Sequence, residues 1–162
     1  MCWTCDHPGS TRADYLDHMA GIVEDCGWAV QFVERDRDHP PFAYTLGLTL
    51  RGLPELVITG LPAQHAAHVL NGEADRVIVD GVPQPGERLV LSDGRAAEVV
   101  ALPHPEAHLF AAVDLYGGAL RALQLARADD RGRFPWEVGH RAGRGGQPVL
   151  GPRARAASSP PP

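Results

Sequence analysis

Three apolar runs separated by strand-breaking turns, all between residues 28 and 60, constrain this chain more than any other feature. In WAVQFVER, Trp28, Val30 and Phe32 alternate with Ala29, Gln31 and Val33, the period-2 pattern of a strand with two different faces. FAYTLGLTL and PELVITG follow as two further runs. DRDHPP divides the first pair, because its prolines cannot continue a hydrogen-bonded ladder, and RGLP divides the second. Strands this short with links this brief predict an antiparallel meander.

The remaining pattern is mixed. RADYLDHMAGIVEDCG carries Tyr15, Leu16, Met19, Ile22 and Val23 at helical spacing, with Gly27 as its stop. LPAQHAAHVLNG reads as a short helix with Pro62 near its first turn and Gly72 beyond its end. RVIVDGVPQPG and ERLVLSDGRAAEVVAL read as strands, the second folded into a hairpin by SDG between Leu91 and Ala96. PEAHLFAAVDLYGG reads as a helix from Pro105 to the glycine pair Gly117 and Gly118. ALRALQLARAD has helical propensity, but its place after a double-glycine stop favours a final strand. From Asp129 the periodicity fades, and Phe134, Trp136 and Val149 predict an irregular segment lying across the domain. The fold expected is a single α+β domain with a mostly antiparallel sheet and about three helices. Its bounds are an N-terminal arm at 1–11, the domain at 12–151 and a disordered tail at 152–162.

Composition narrows the function. At 162 residues the chain can bury a sizeable core, and 44% hydrophobic with 22% charged residues is ordinary for a globular protein. A formal charge of -5 argues against nucleic acid as a partner, since phosphate neutralisation needs a basic face. All 15 cationic residues are arginine, a bias that GC-rich coding produces. Arginine is nevertheless the better residue for forked recognition of carboxylate or phosphate. No run approaches the roughly 18 apolar residues of a membrane span, and no secretory leader pattern opens the chain. A cytoplasmic protein without a membrane partner is expected. Its cysteines Cys2, Cys5 and Cys26 are then reduced thiols or metal ligands rather than disulfides.

The opening MCWTCDHPGS carries the most specific chemistry. Cys2 and Cys5 form a C-x-x-C pair whose spacing suits one tetrahedral ion, and His7 offers a third ligand. Asp6, Cys26 or another histidine could complete the set, with zinc or iron as the metal. Thiol chemistry at Cys2 or Cys5 is the second reading, including activation of Cys2 by its own amine after loss of Met1. An arm with no ligand is the third. His65 and His68, and His104 and His108, have spacings that share a helical face, and His108 falls on the apolar side with Ala111, Ala112 and Leu115. Gly47 beside Tyr44 and Thr45 marks either a core strand whose glycine accommodates a neighbouring aromatic or a close approach by a ligand. Glu55 opens a strand, where it could cap a turn or pair with an arginine. Asp129 and Trp136 lie in ADDRGRFPWE, which reads as a pocket rim or as a turn with Trp136 plugging the core edge. HRAGRGGQP is basic and glycine-rich but follows no strand and opens no helix, the context a phosphate cradle needs. No G-x-G-x-x-G, Walker-type or G-x-S-x-G pattern is present.

FAYTLGL, PELVITGL, LNG, RALQLARADDRGRFPWE and GGQPVLG occur in that order. Together they resemble the bacterial family called domain of unknown function 4262, over roughly residues 1–151. The arm resembles that of its actinobacterial members, and many other members lack it. The resemblance implies a shared fold in a soluble bacterial protein and names no activity. It maps shared positions onto Tyr44, Thr45, Gly47, Pro54, Glu55, Gly60, Asp129, Gly132, Pro135, Trp136, Gln147 and Pro148. The sequence therefore predicts a metal-binding protein with a small-molecule pocket that draws on Tyr44, Thr45, Glu55, His108, Asp129 and Trp136. The alternatives are a protein-interaction module, with the arm and the arginine-bearing C-terminal segment against a partner, and a thiol-dependent enzyme.

Overall fold

The computed structural model describes residues 6–154. Helix α1 (Arg12–Cys26) starts at a capping box, in which the Thr11 hydroxyl accepts from the Asp14 amide and the Asp14 carboxylate accepts from the Thr11 amide. Gly27, left-handed at φ 88°, ends it. Strands β1 (Ala29–Val33), β2 (Phe42–Leu46) and β3 (Glu55–Thr59) then form the antiparallel meander expected from their turns. A 3-10 turn at Leu48–Arg51 separates β2 from β3.

Helix α2 (Ala63–Asp80) is longer than its first twelve residues suggest. It runs through Gly72 and absorbs RVIVD, which reads as a strand from β-branched content alone. Leu70, Glu73, Ala74 and Val77 continue one buried helical stripe, and packing of that stripe overrides local propensity. Gly72 serves an approach instead of a stop, since a Cβ there would meet the Ser92 side chain at 2.7 Å. Strands β4 (Arg88–Val90) and β5 (Ala96–Leu102) form the hairpin. The PEAHLF segment is broken rather than continuous: a 3-10 turn at Pro105–Ala107 precedes helix α3 (Phe110–Tyr116). Strand β6 (Ala122–Arg127) follows, as the double glycine suggested.

The six strands lie in the order β1-β2-β3-β6-β5-β4, antiparallel except for the central pair β3 and β6. Helix α2 covers one face through Ala66, Val69, Leu70, Ala74 and Val77 against Ile58, Val99 and Leu125. Helices α1 and α3 cover the other through Met19, Val23, Ala111 and Ala112 against Tyr44, Val57 and Leu102. Double coverage explains why every residue of β3 is buried and why Leu56, Val57 and Ile58 follow one another without polar alternation. The irregular C-terminal segment crosses the α1/α3 side on a fully buried glutamine. Gln124 donates to the Pro148 carbonyl at 2.7 Å and accepts from the Leu150 amide at 2.7 Å.

Candidate functional site

The residues singled out by sequence fall into four separate places. Thr45 and Glu55 form a buried knot at the end of the β2–β3 ladder, both at 0% exposure. The Thr45 hydroxyl donates to Glu55 Oε2 at 2.6 Å and accepts from the Leu56 amide at 2.9 Å. Glu55 Oε1 accepts from the Gly47 amide, the Thr49 amide and the Thr49 hydroxyl. Burial pushes this carboxyl up from its ordinary value, while the same donors pull it back. Every partner donates to the carboxylate, so only the ionised form satisfies all of them. The knot closes the strand–turn–strand unit, with both carboxylate oxygens engaged by donors of the chain itself.

Gly47 has φ 117°, and a Cβ there would meet Val23 at 2.7 Å and the Gly27 carbonyl at 3.0 Å. Its small size admits the end of α1. Tyr116 feels the knot: burial first, and then the Glu55 charge, push its hydroxyl up to about 12.

Trp136 stacks on Phe134 with ring centroids 5.1 Å apart and 4° between planes. The Arg153 guanidinium lies 3.7 Å from the Trp136 ring centre and that of Arg88 lies 4.5 Å from the Phe134 ring centre. Both arginines also pair with Glu98, which is nearly buried. Trp136 is thus a plug on the edge formed by β4 and β5, the structural alternative that the sequence also offered.

Tyr44 and His108 line one pocket. Tyr44, buried on β2, accepts from the Ala111 amide at 3.2 Å, and with half-buried His108 it lines a pocket between α1, β1 and the 105–111 segment. Burial drives the Tyr44 hydroxyl far above its ordinary value. His104 and His108 do not share a helical face, because the chain breaks between the 3-10 turn and α3. His104 pairs with Glu106, while His65 pairs with Asp93 at 2.8 Å.

Asp129 organises a densely charged place at the end of β6. Its Oδ1 accepts from the Arg131 and Arg133 amides, both at 2.9 Å, and its Oδ2 accepts from the Arg141 amide at 2.8 Å. Burial opposes the charge, but these amides and the Arg133 guanidinium outweigh it and hold the carboxyl well below the usual range. One aspartate thereby ties together residues twelve positions apart. Gln147 closes the other end: its side-chain amide accepts from the Arg127 amide at 3.1 Å and donates to the Arg127 carbonyl at 2.7 Å, imitating a neighbouring strand at the end of β6. Buried His140 donates from Nδ1 to the Arg133 carbonyl at 2.8 Å.

Between these ties the loop GHRAGRGG borders a cleft of about 420 Å³ beyond the ends of β3 and β6. Arg127, Arg131, Arg133, Arg141 and Arg144 line it, against Asp129 and Asp130. Arg127 pairs with Asp93, Arg133 with Asp129, and Arg95 with Asp130. The guanidiniums of Arg131, Arg141 and Arg144 form no ion pair among the described residues. Arg141 and Ala142 hold left-handed conformations at φ 47° and 54°, a cost that non-glycine residues bear only where their surroundings impose it. Gly60, at φ 75°, allows the loop to sit on β3, for a Cβ there would lie 2.2 Å from the Gly146 carbonyl and 3.1 Å from Arg141. The cleft lies at the carboxyl ends of the central parallel pair.

The family model for a domain of unknown function, DUF4262, matches residues 22–141. The chain belongs to the DUF4262 family. No curated protein and no solved structure matches it. In this DUF4262 chain the positions Gly60, Asp129 and Gln147, marked by the family resemblance, converge on the cleft. The sequence reading touches these arginines without joining them: ADDRGRFPWE, with Arg131, reads as a pocket rim or a turn, whereas HRAGRGGQP, with Arg141 and Arg144, lacks the strand-to-helix context of a phosphate cradle.

Cys2 and Cys5 lie outside the described residues, so the C-x-x-C reading has no geometry to meet. His7 is exposed, as is Cys26 at the end of α1. Among the described residues no group of three or more His, Cys, Asp or Glu side chains is placed to hold a metal ion, and no helix is long and apolar enough to cross a membrane.

Proposed function

We propose that this domain binds a small ligand carrying two or more negative charges, phosphate groups foremost, in the arginine cleft. One observation carries the reading: Arg131, Arg141 and Arg144 line one cleft without an ion-pair partner, while its acidic residues Asp129 and Asp130 pair with other arginines. Guanidinium forks match phosphate and carboxylate oxygens in pairs, and a cleft rimmed by low-dielectric walls concentrates their field. A monoanion would leave most of that charge uncompensated. The strained 141–142 backbone and the two tethers, Asp129 and Gln147, set the arginines in place before the ligand arrives.

Titration calorimetry with inorganic pyrophosphate, against acetate as monoanion, tests the reading. Pyrophosphate binds at least tenfold more tightly than acetate, its affinity falls as salt rises, and Arg141→Ala with Arg144→Ala together lowers it at least tenfold. Equal binding of the two anions, or a double variant with unchanged affinity, refutes the proposal.

The C-x-x-C spacing supports a second role, as an addition to the shared domain: zinc or iron held by Cys2, Cys5 and His7. That role and the anion cleft are independent of each other.

A further inference from the structure

His65, on the first turn of α2, lies outside the lining of the anion cleft yet shares a carboxylate oxygen with one of its arginines. That carboxylate is Asp93, in the turn between β4 and β5, with only 9% of its side chain exposed. Asp93 Oδ2 accepts from His65 Nε2 at 2.8 Å and from Arg127 Nε and Nη2 at 2.9 and 2.7 Å. Its Oδ1 accepts from the Arg95 amide at 3.1 Å. Burial opposes this charge, but the Arg95 amide, His65 and Arg127 outweigh it and hold the carboxyl below its ordinary value. Asp93 is therefore ionised wherever a histidine titrates.

An ionised Oδ2 only accepts, so Nε2 carries the hydrogen of the neutral His65 ring. A second proton goes to Nδ1. The side chain is 38% exposed and takes that proton from solvent without breaking its bond to Asp93. While His65 is neutral, Asp93 cancels the charge of Arg127 and the trio has no net charge. Once His65 is protonated, the trio carries one net positive charge beside the cleft that Arg127 lines. We infer that His65 is the proton sensor of the anion cleft: its protonation tightens the binding of a polyanion, and binding in turn draws a proton onto His65. The inference rests on the cleft being an anion site.

Other charged groups face the trio. The Arg95 guanidinium pairs with Asp130, and Glu73, further along α2, accepts from Arg76 and the Ser92 amide. His68, exposed one turn beyond His65, is not a partner of Asp93. His140, the other histidine near these charges, lines the cleft itself and donates to the Arg133 carbonyl.

Sulfate is the probe for the test, because it stays a dianion on both sides of the ordinary histidine range. Calorimetry with the full chain reads its affinity at about pH 8 and about pH 5.5. Wild type gains about fivefold or more on acidification, the lower end of ordinary coupling between two sites. His65→Gln keeps an uncharged donor in the place of Nε2, so it matches wild type at the alkaline pH and loses most of the gain. His68→Gln removes an equal titrating charge and keeps the gain, while Glu73 and His140 are the same in all three proteins. No gain in wild type, the same gain in His65→Gln, or an equal loss in both variants overturns the inference and leaves the cleft reading standing. A wild type that binds sulfate at neither pH overturns both.

Discussion

Thr45→Val removes one oxygen while keeping the outline of the side chain, so it separates the hydrogen bonds of the Glu55 knot from packing. In the wild type the hydroxyl gives its proton to Glu55 Oε2 at 2.6 Å and takes that of the Leu56 amide at 2.9 Å. Thr45, Glu55 and Leu56 are all fully buried, so no water replaces either bond. An unpaired buried amide costs about 1–3 kcal/mol, and a lost bond to a charged group about 1.5–3 kcal/mol. Three donors still hold the carboxylate, which moderates the second contribution. Valine gains up to about 1 kcal/mol in strand preference and burial. The net loss is about 2–4 kcal/mol. In a domain of this size that is a fall of about 5–15 °C in melting temperature. Urea unfolding, read by circular dichroism, measures it at unchanged slope, and Thr45→Ser recovers most of the loss because it restores the hydroxyl. A valine variant within about 0.5 kcal/mol of wild type, the range of a neutral surface change, would refute the assignment of a structural role to Thr45 and Glu55. The reasoning fails equally if the folded valine variant no longer binds pyrophosphate.

Three other perturbations address different parts of the molecule. Gly60→Ala forces a Cβ to within 2.2 Å of the Gly146 carbonyl at a left-handed position, so it detaches the 139–147 loop; limited proteolysis cuts that loop faster and pyrophosphate affinity drops. Asp129 has its folded pKa depressed below its ordinary 3.8, so its stabilisation is complete above that value and is lost as pH falls through the depressed one. Asp129→Asn therefore lowers stability at neutral pH and flattens the acid limb of the stability profile, which urea midpoints between neutral and strongly acid pH record. Elemental analysis of the purified chain finds near-stoichiometric zinc or iron if the arm binds metal, and Cys2→Ser or Cys5→Ser removes it; a wild type below a tenth of an equivalent ends that proposal.

Much of the architecture was legible in local pattern. The turns at DRDHPP, RGLP and SDG impose their strand pairings, because proline and glycine restrict the backbone wherever they stand. The Thr11–Asp14 cap and Gly27 likewise bound α1 through contacts within a few residues. Where local and long-range demands disagreed, packing won: RVIVD has the composition of a strand, yet Val77 completes the stripe that seats α2 on the sheet.

The functional surface was far less legible, since its bonds join residues distant in sequence. Asp129 with Arg141, Gln147 with Arg127, and Gly60 beneath Gly146 become neighbours only when β3 and β6 lie side by side. The same amino acids decide both levels. The sequence by itself determined an α+β chain rich in arginine, with a cysteine pair at its start and breaks that define its strands. Only the tertiary structure decided which arginines have their charge compensated by a neighbouring acid and which do not. Pairing depends on distances of a few ångströms, and those distances belong to the sheet rather than to the order of residues along the chain.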